Sequence, residues 1–144
     1  MIPILKWLKH EPKWSSDAPP LAPVFMFGPT IDGSVAAGLP SLPLEAFEQK
    51  KGNVVPTIMG TNKDEGQTFC PITPLVIPGN TYPVTKKGVK NALIHLFDSA
   101  TADEILEEYP RQTKLDPTES TKILAAIIRD YVFVCPTRRA LRAL

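Results

Sequence analysis

The sequence predicts an α/β fold in which one short buried strand precedes a series of helices. Residues 54–59, Val54-Val-Pro-Thr-Ile-Met59, are rich in β-branched side chains and do not alternate cleanly between polar and apolar. That pattern is typical of a strand buried on both faces of a parallel sheet. The second half of the chain has helical periodicity instead. Because a buried strand needs a neighbour on each edge, we expect the 144 residues to be part of a larger domain.

The composition is that of a globular protein and gives no indication of a nucleic-acid or membrane partner. Hydrophobic residues make up 43% of the chain, charged residues 22%, and the formal net charge is only +1. No apolar run approaches the roughly 20 residues of a membrane span. Residues Met1–His10 lack the apolar core and small-residue cleavage site of a signal peptide. The sequence leaves the compartment unknown.

Prolines divide the amino-terminal part of the chain into extended connections. Several of the 16 prolines precede residue 44, at positions 3, 12, 19, 20, 23, 29, 40 and 43. One long helix is impossible there. Asp32-Gly33 marks a turn. Leu44–Lys50 predicts a short helix, with Ser41 as its N-cap and Gly52 as its stop.

The second half of the chain predicts successive helices, each with its own start or stop signal. The first places four apolar side chains on one face, those of Val89, Leu93, Leu96 and Phe97. The second opens on a capping box, Thr101-Ala-Asp-Glu104, and ends at Pro110. A third begins at Asp116-Pro-Thr-Glu119. Its apolar face comprises Ile123, Leu124, Ile127, Ile128 and Tyr131. A last helix starts near Pro136.

A polar loop directly after the predicted strand carries the candidate chemistry. The run Gly60-Thr-Asn-Lys-Asp-Glu-Gly66 presents the carboxylates of Asp64 and Glu65 at the strand's carboxyl end. In open α/β sheets, ligands and catalytic groups gather at that end. A carboxylate there can orient a histidine and stabilise its imidazolium form. The pattern alone also fits a plain loop whose acids favour the next helix N-terminus.

Three segments together resemble the type-B carboxylesterase and cholinesterase-like family of α/β-hydrolases. Gly60–Gly66 is similar to the family's acid loop. Phe27-Gly-Pro-Thr-Ile-Asp-Gly33 is similar to its F-x-P-x-x-D-G segment, and Asp130-Tyr-Val-Phe-Val-Cys-Pro136 to its D-x-x-x-x-C-P segment. The segments occur in the family's order and span most of the chain. The resemblance implies that residues 1–144 form part of an α/β-hydrolase fold, without its nucleophile-bearing and histidine-bearing parts.

The resemblance also implies roles for individual residues. Glu65 matches the acid of a serine–glutamate–histidine triad, and Asp64 matches a structural position. Phe25 and Phe69 fall where the family places aromatic side chains of the substrate pocket. The alternative for both is an ordinary core aromatic. Asp32 is expected to be a turn residue, and the resemblance implies neither a metal nor an organic cofactor.

The two cysteines, Cys70 and Cys135, allow several states. Two free buried thiols are the expectation from the burial habit of cysteine. Cys135 matches a cysteine that, in cholinesterases, pairs with a partner farther downstream, so it is a disulfide candidate. A Cys70–Cys135 pair stays open.

The other members of a triad are not expected within this sequence. It contains no G-x-S-x-G elbow, and the nearest run, Asp32–Gly38, has the wrong glycine spacing. The family order of serine, acid and histidine places the serine upstream and the histidine downstream. His10 precedes the acid, and His95 belongs to a helical pattern, so neither is expected to be catalytic. The arginines near the end, Arg138, Arg139 and Arg142, are expected to form a solvated helix face.

The implied function is hydrolysis of a small-molecule carboxylic ester by a serine esterase, in an intact parent protein. The 144-residue chain alone is expected to be inactive. One alternative is a non-catalytic, cholinesterase-like adhesion or interaction module, and the presence of Glu65 argues mildly against it. Another is a truncated gene product. The residue at the upstream serine position distinguishes the esterase from the interaction module.

Overall fold

The computed structural model describes residues 31–33, 38–53, 55–113 and 119–144, and this part of the chain is mainly helical. The elements are α1 (Pro43–Glu48), a 3₁₀ helix (Glu65–Ile72), α2 (Thr73–Val76), α3 (Lys86–Leu96), α4 (Ser99–Thr113), α5 (Ser120–Ile128), a π-helical segment (Arg129–Val134) and α6 (Cys135–Ala143). The predictions for Met1–His10, Phe25 and Asp116 lie outside the described residues. None of the described helices combines the length and apolarity that a membrane crossing requires.

The core lies where the 3₁₀ helix, α3, α4 and α5 meet. Its largest fully buried side chains are Leu93, Leu124, Val89 and Cys70. Burying an aliphatic side chain of this size contributes roughly 1.5–3 kcal/mol to folding. Helix α5 is the central element, because every residue from Ile123 to Ile128 is buried. The apolar face predicted for this helix is confirmed for residues 123–128.

One glycine sets the distance between the 3₁₀ helix and α5. A Cβ atom on Gly66 would lie 1.7 Å from the carbonyl oxygen of Ala125 and 2.9 Å from the backbone nitrogen of Arg129. Both are backbone atoms, so no side-chain rotation could relieve the overlap. Cys70 completes the contact, because its thiol lies 3.6 Å from the carbonyl oxygen of Thr121 on α5.

The structure moves the start of two predicted helices. Asp98, not Thr101, caps α4: its Oδ1 accepts a hydrogen bond of 2.9 Å from the Thr101 backbone N–H. The predicted capping box is therefore wrong, because α4 begins at Ser99. For α1 the N-cap residue is Leu42 rather than Ser41, and the helix ends at Glu48. Gly52 is not its stop.

Pro110 does not end a helix as predicted. Helix α4 continues through Pro110 to Thr113. An exposed ion pair of 2.6 Å between Lys90 and Asp103 also joins α4 to α3.

The last helix, α6, starts at Cys135, close to the predicted position. It continues from the π-helical segment without a break.

The π-helical segment explains how the chain passes Pro136. The Cys135 N–H donates to the carbonyl oxygen of Asp130, five residues earlier, which is the π pattern. The wider turn gives room next to Pro136, which has no N–H to donate. The extra residue in the turn also changes the direction of the neighbouring side chains, and Tyr131 is 45% exposed. The Tyr131 ring instead packs edge-on against Phe97, with centroids 4.9 Å apart.

Residues 55–60 are not the predicted strand in this structure. They have no regular secondary structure and are exposed. Val55 is 62% exposed and Ile58 fully exposed. A strand needs partners for its backbone groups, and the described ranges contain no other strand that could supply them. Glu65, expected in an open loop, is instead the first residue of the 3₁₀ helix. The fold class of the larger domain stays a prediction.

Replacing Gly66 by alanine should destabilise the chain because the new Cβ overlaps the backbone of α5. We expect a loss of about 1–3 kcal/mol in the free energy of unfolding, the usual cost of overpacking, measured by urea denaturation. Gly60→Ala is the matched control, since a Cβ on Gly60 meets nothing within 4 Å. Equal urea midpoints for the two variants would contradict the close contact.

Candidate functional site

Glu65 is half-buried, and its carboxylate is held in one direction. Oε1 accepts two hydrogen bonds from Asn62, one from the backbone N–H at 3.0 Å and one from the side-chain amide at 2.9 Å. Oε2 has no partner among the residues that the structure describes. A carboxylate with one anchored oxygen and one unused oxygen can accept the N–H of an imidazole, which is the task of a triad acid.

The local sequence accounts for this arrangement. Asn62 and Glu65 are three residues apart, so the turn before the 3₁₀ helix brings the amide onto the carboxylate. Glu65 lies in the first turn of that helix, where a negative charge interacts favourably with the helix dipole. Asp64 is exposed and its side chain makes no capping bond. Of the two neighbouring acids, only Glu65 is fixed by a hydrogen bond within the loop.

Phe69 lies one turn after Glu65 and is half-buried. Its ring packs against Phe133 of the π-helical segment, with centroids 5.7 Å apart and an interplanar angle of 41°. Phe133 had no predicted role, although it lies within the D-x-x-x-x-C-P segment. The other aromatic expected in the pocket, Phe25, lies outside the described residues.

Phe69 also forms one wall of an open apolar groove between the 3₁₀ helix, α3 and α5. The space within the groove that a water molecule can reach is about 30 Å³, and its surface is almost entirely carbon. Besides Phe69, its walls include Ile72, Val76, Leu96, Leu124 and Val132. His95 reaches the groove from an exposed position on α3. This placement agrees with a helix-face histidine.

A second concavity, of polar character, adjoins the start of the 3₁₀ helix. The space within it that water can reach is about 300 Å³, and its charged and amide-bearing walls are Lys63, Asp64, Gln67, Lys122 and Arg129. Gly66 forms part of its surface. The residues next to Glu65 therefore face charged groups, whereas Phe69, one turn later, faces the apolar groove.

A partly buried hydrogen-bond network lies where α5 becomes the π-helical segment. The hydroxyl of Tyr109 lies between two acceptors, the Ala126 carbonyl oxygen at 2.9 Å and the Asp130 carboxylate, which share its single proton. Arg129 holds the same carboxylate with Nε at 2.7 Å and Nη2 at 3.0 Å. This network was not predicted from the sequence. The available signal was Asp130, the first residue of the D-x-x-x-x-C-P segment.

The electrostatics of the network fix its protonation states. Burial alone would raise the pKa of Asp130, but hydrogen bonds from Arg129 and Tyr109 outweigh burial and lower that pKa. Burial first, and the Asp130 carboxylate second, raise the pKa of Tyr109 well above its usual value. Asp130 is therefore the acceptor and Tyr109 the donor at neutral pH.

The two cysteines are both free, so the Cys70–Cys135 pair is not formed. Cys70 is buried between the 3₁₀ helix and α5, as expected, and burial raises the pKa of its thiol to about 11. Cys135 is exposed, which corrects the expectation of two buried thiols. Its pairing with a cysteine elsewhere stays a prediction.

Other polar residues considered in the sequence have structural contacts. Asp32 accepts a hydrogen bond of 2.9 Å from the Leu39 backbone N–H, in agreement with a turn role. Arg139 pairs with Glu48 at 2.7 Å and joins α6 to α1, while Arg138 and Arg142 lie on the same helix. Within the described ranges, no cluster of three or more His, Cys, Asp or Glu residues could hold a metal ion.

Comparison with known proteins identifies the family. The sequence matches the Carboxylesterase family over residues 8–144, and the chain belongs to that family. It is 32% identical over 116 residues to a protein named "Crystal protein" from Dictyostelium discoideum, a match covering 78% of this chain and 18% of that protein. It is 31% identical over 134 residues to "Lipase 2" from Geotrichum candidum, covering 85% and 23% respectively. The chain thus spans about a fifth of the length of these curated relatives. No solved structure is significantly similar to it.

The cysteines should differ strongly in their reaction with a thiol reagent at pH 8. Because the thiolate is the reactive form, a pKa of about 11 for Cys70 leaves roughly one thiol in a thousand reactive, and burial slows it further. We expect one fast-labelled cysteine, Cys135, and one labelled at least about 100-fold more slowly. Cys135→Ser should remove the fast phase, and urea should make both cysteines reactive. Two fast phases in the folded chain would contradict the placement of Cys70.

Proposed function

We propose that this chain is the acid-bearing segment of a carboxylic ester hydrolase, with Glu65 as the acid of a serine–glutamate–histidine triad. The supporting observation is the half-buried Glu65 carboxylate, which Asn62 anchors through Oε1 while Oε2 has no partner among the described residues. Membership of the Carboxylesterase family supports the reaction class. The serine and histidine come from other parts of the parent protein, since the sequence contains no G-x-S-x-G elbow.

In this mechanism the serine attacks the ester carbonyl, and the histidine takes the serine proton and then delivers it to the leaving alcohol. Glu65 accepts the remaining N–H of the histidine, holds the ring in the productive tautomer and stabilises its positive charge. Water then hydrolyses the acyl-enzyme by the same route. Two bonds from Asn62 keep the carboxylate directed, so little orientational freedom has to be lost when the histidine binds.

The substrate pocket of the proposed enzyme includes Phe69 and Phe133. Their rings are in contact one turn from the acid, and Phe69 leads into the apolar groove. An apolar wall beside the reacting centre suits the carbon chain of an ester, because ligand sites are lined mainly by apolar and aromatic side chains. We assign Phe25 to the same pocket from the resemblance alone.

The proposed parent fold is the α/β-hydrolase sheet, with residues 54–59 as one of its parallel strands. The support is the β-branched sequence together with the exposure of Val55, Ile58 and Met59. Apolar side chains in an extended segment gain stability when neighbouring strands and helices cover them. In the whole protein, those neighbours come from outside this chain.

Glu65→Gln in the complete parent enzyme tests the proposed triad. The amide keeps the size of the side chain but favours the wrong histidine tautomer, so we expect kcat to fall roughly 10⁴-fold. Asp64→Asn is the matched control, since Asp64 is exposed and makes no capping bond; kcat should stay within about threefold. Near-normal kcat for folded Glu65→Gln would remove Glu65 from the triad. A parent lacking the serine would instead favour the adhesion or interaction module.

The isolated 144-residue chain should not hydrolyse an activated phenyl ester. Without a nucleophile elbow in its sequence, it should match the rate of a protein blank with the same histidine and lysine content. The measurement is release of the phenolate by absorbance, with and without a serine-directed organophosphate. Turnover that the organophosphate abolishes would contradict the assignment of the serine to another part of the parent.

A further inference from the structure

The turn of α5 that precedes the π-helical segment has different partners on two sides. On one side, Gly66 of the 3₁₀ helix lies against the Ala125 carbonyl oxygen and the Arg129 backbone nitrogen. On another side, the Tyr109 hydroxyl binds the Ala126 carbonyl oxygen and the Asp130 carboxylate. The backbone that supports Gly66 is therefore also the backbone that Tyr109 holds.

This turn needs external support because the hydrogen-bond pattern changes within it. The α pattern ends at Ile128 and the π pattern begins at Arg129. π-Helical turns are rare and occur mostly as single turns within α-helices. Tyr109 and Asp130 link α4 to both sides of the junction, since Ala126 belongs to α5 and Asp130 to the π-helical segment. The high pKa of Tyr109 keeps its hydroxyl a donor through the neutral range.

The junction is linked to the acid through the contact with Gly66, since the two segments are far apart along the chain. Gly66 immediately follows Glu65, and Gly66 has no side chain that could absorb a shift of the backbone beneath it. A displacement of the Ala125–Arg129 turn therefore acts directly on the Gly66 backbone, which is bonded to Glu65. We propose that Tyr109, acting with Asp130, is a positioning residue for Glu65. The catalytic part of this inference rests on the proposed function. The part that concerns the geometry of Glu65 is independent of it.

Arg129 is the third residue of this network. Its Nε and Nη2 atoms both bind Asp130, which fixes the acceptor that Tyr109 uses. The same side chain lines the polar concavity beside Asp64 and Gly66. Asp130 is thus held by two residues: Arg129, which lines the concavity next to Glu65, and Tyr109, which belongs to α4.

Nuclear magnetic resonance of the 144-residue chain tests the geometric part directly. The Asn62 backbone amide reports on Glu65, because it donates to Oε1. In Tyr109→Phe, which removes only the hydroxyl, the Asn62 amide should exchange roughly tenfold faster than in the unchanged chain, and its proton resonance should move upfield. Asp130→Asn should give the same change. Tyr82→Phe is the chemical control, since Tyr82 is 54% exposed.

A second variant separates positioning from loss of stability. Val89→Ala shortens a side chain that is 1% exposed in α3 and lies outside the network, so it lowers global stability alone. The exchange rate of the buried Leu93 amide reports the loss of global stability in each variant. After correction for that loss, the exchange rate of the Asn62 amide should be unchanged in Val89→Ala and higher in Tyr109→Phe. Equal effects in both variants, or no effect of Tyr109→Phe, would overturn the proposal.

The complete parent enzyme tests the catalytic consequence. Tyr109→Phe should lower kcat roughly tenfold with KM unchanged, because a small misplacement of a triad member affects the transition state more than substrate binding. Val89→Ala should leave both constants unchanged at a temperature where it is folded. A rise in KM without a fall in kcat would overturn a positioning role. If the amide changes as expected while Glu65→Gln leaves kcat normal, the proposed function fails and the geometric coupling stands.

Discussion

The contact on which the described structure depends is the one between Gly66 and the backbone of α5. It allows the 3₁₀ helix to approach the buried central helix so closely that any side chain would overlap the Ala125 carbonyl. This approach buries Cys70 and places Phe69 against Phe133. It also fixes the point at which the chain leaves the loop, and Glu65 stands at that point. Packing in the core therefore determines where the candidate acid can be.

Helix positions were largely predictable from the sequence because periodicity and local capping act over a few residues. The face of α5 and the start of α6 near Pro136 were predicted in this way. The strand at 54–59 was not found, because strand formation depends on partners that local sequence does not contain. The π-helical segment and the passage through Pro110 were also missed, since both depend on tertiary packing that offsets a local cost.

The candidate site was predictable in part, for the same reason. Glu65 was proposed from a continuous motif, and its role as a triad acid stays a prediction. Phe133 and Tyr109 were missed because they reach the site region only through the fold: Phe133 meets Phe69, and Tyr109 meets Asp130 across 21 residues of sequence. A motif shows which residue types the chemistry needs. It does not show which side chains on other elements hold them in place.

The guanidinium of Arg129, near Glu65, has a partner that limits its contact with the Glu65 carboxylate. Arg129 lines the concavity next to the acid, and a free guanidinium there would be a strong bidentate partner for a carboxylate. Asp130 occupies the Nε and Nη2 atoms of that guanidinium instead. Asn62, a neutral donor, takes one oxygen of Glu65 and leaves the negative charge intact. In the proposed enzyme, a Glu65 carboxylate that a neutral amide orients, with no cation bound to it among the described residues, is available to stabilise an imidazolium.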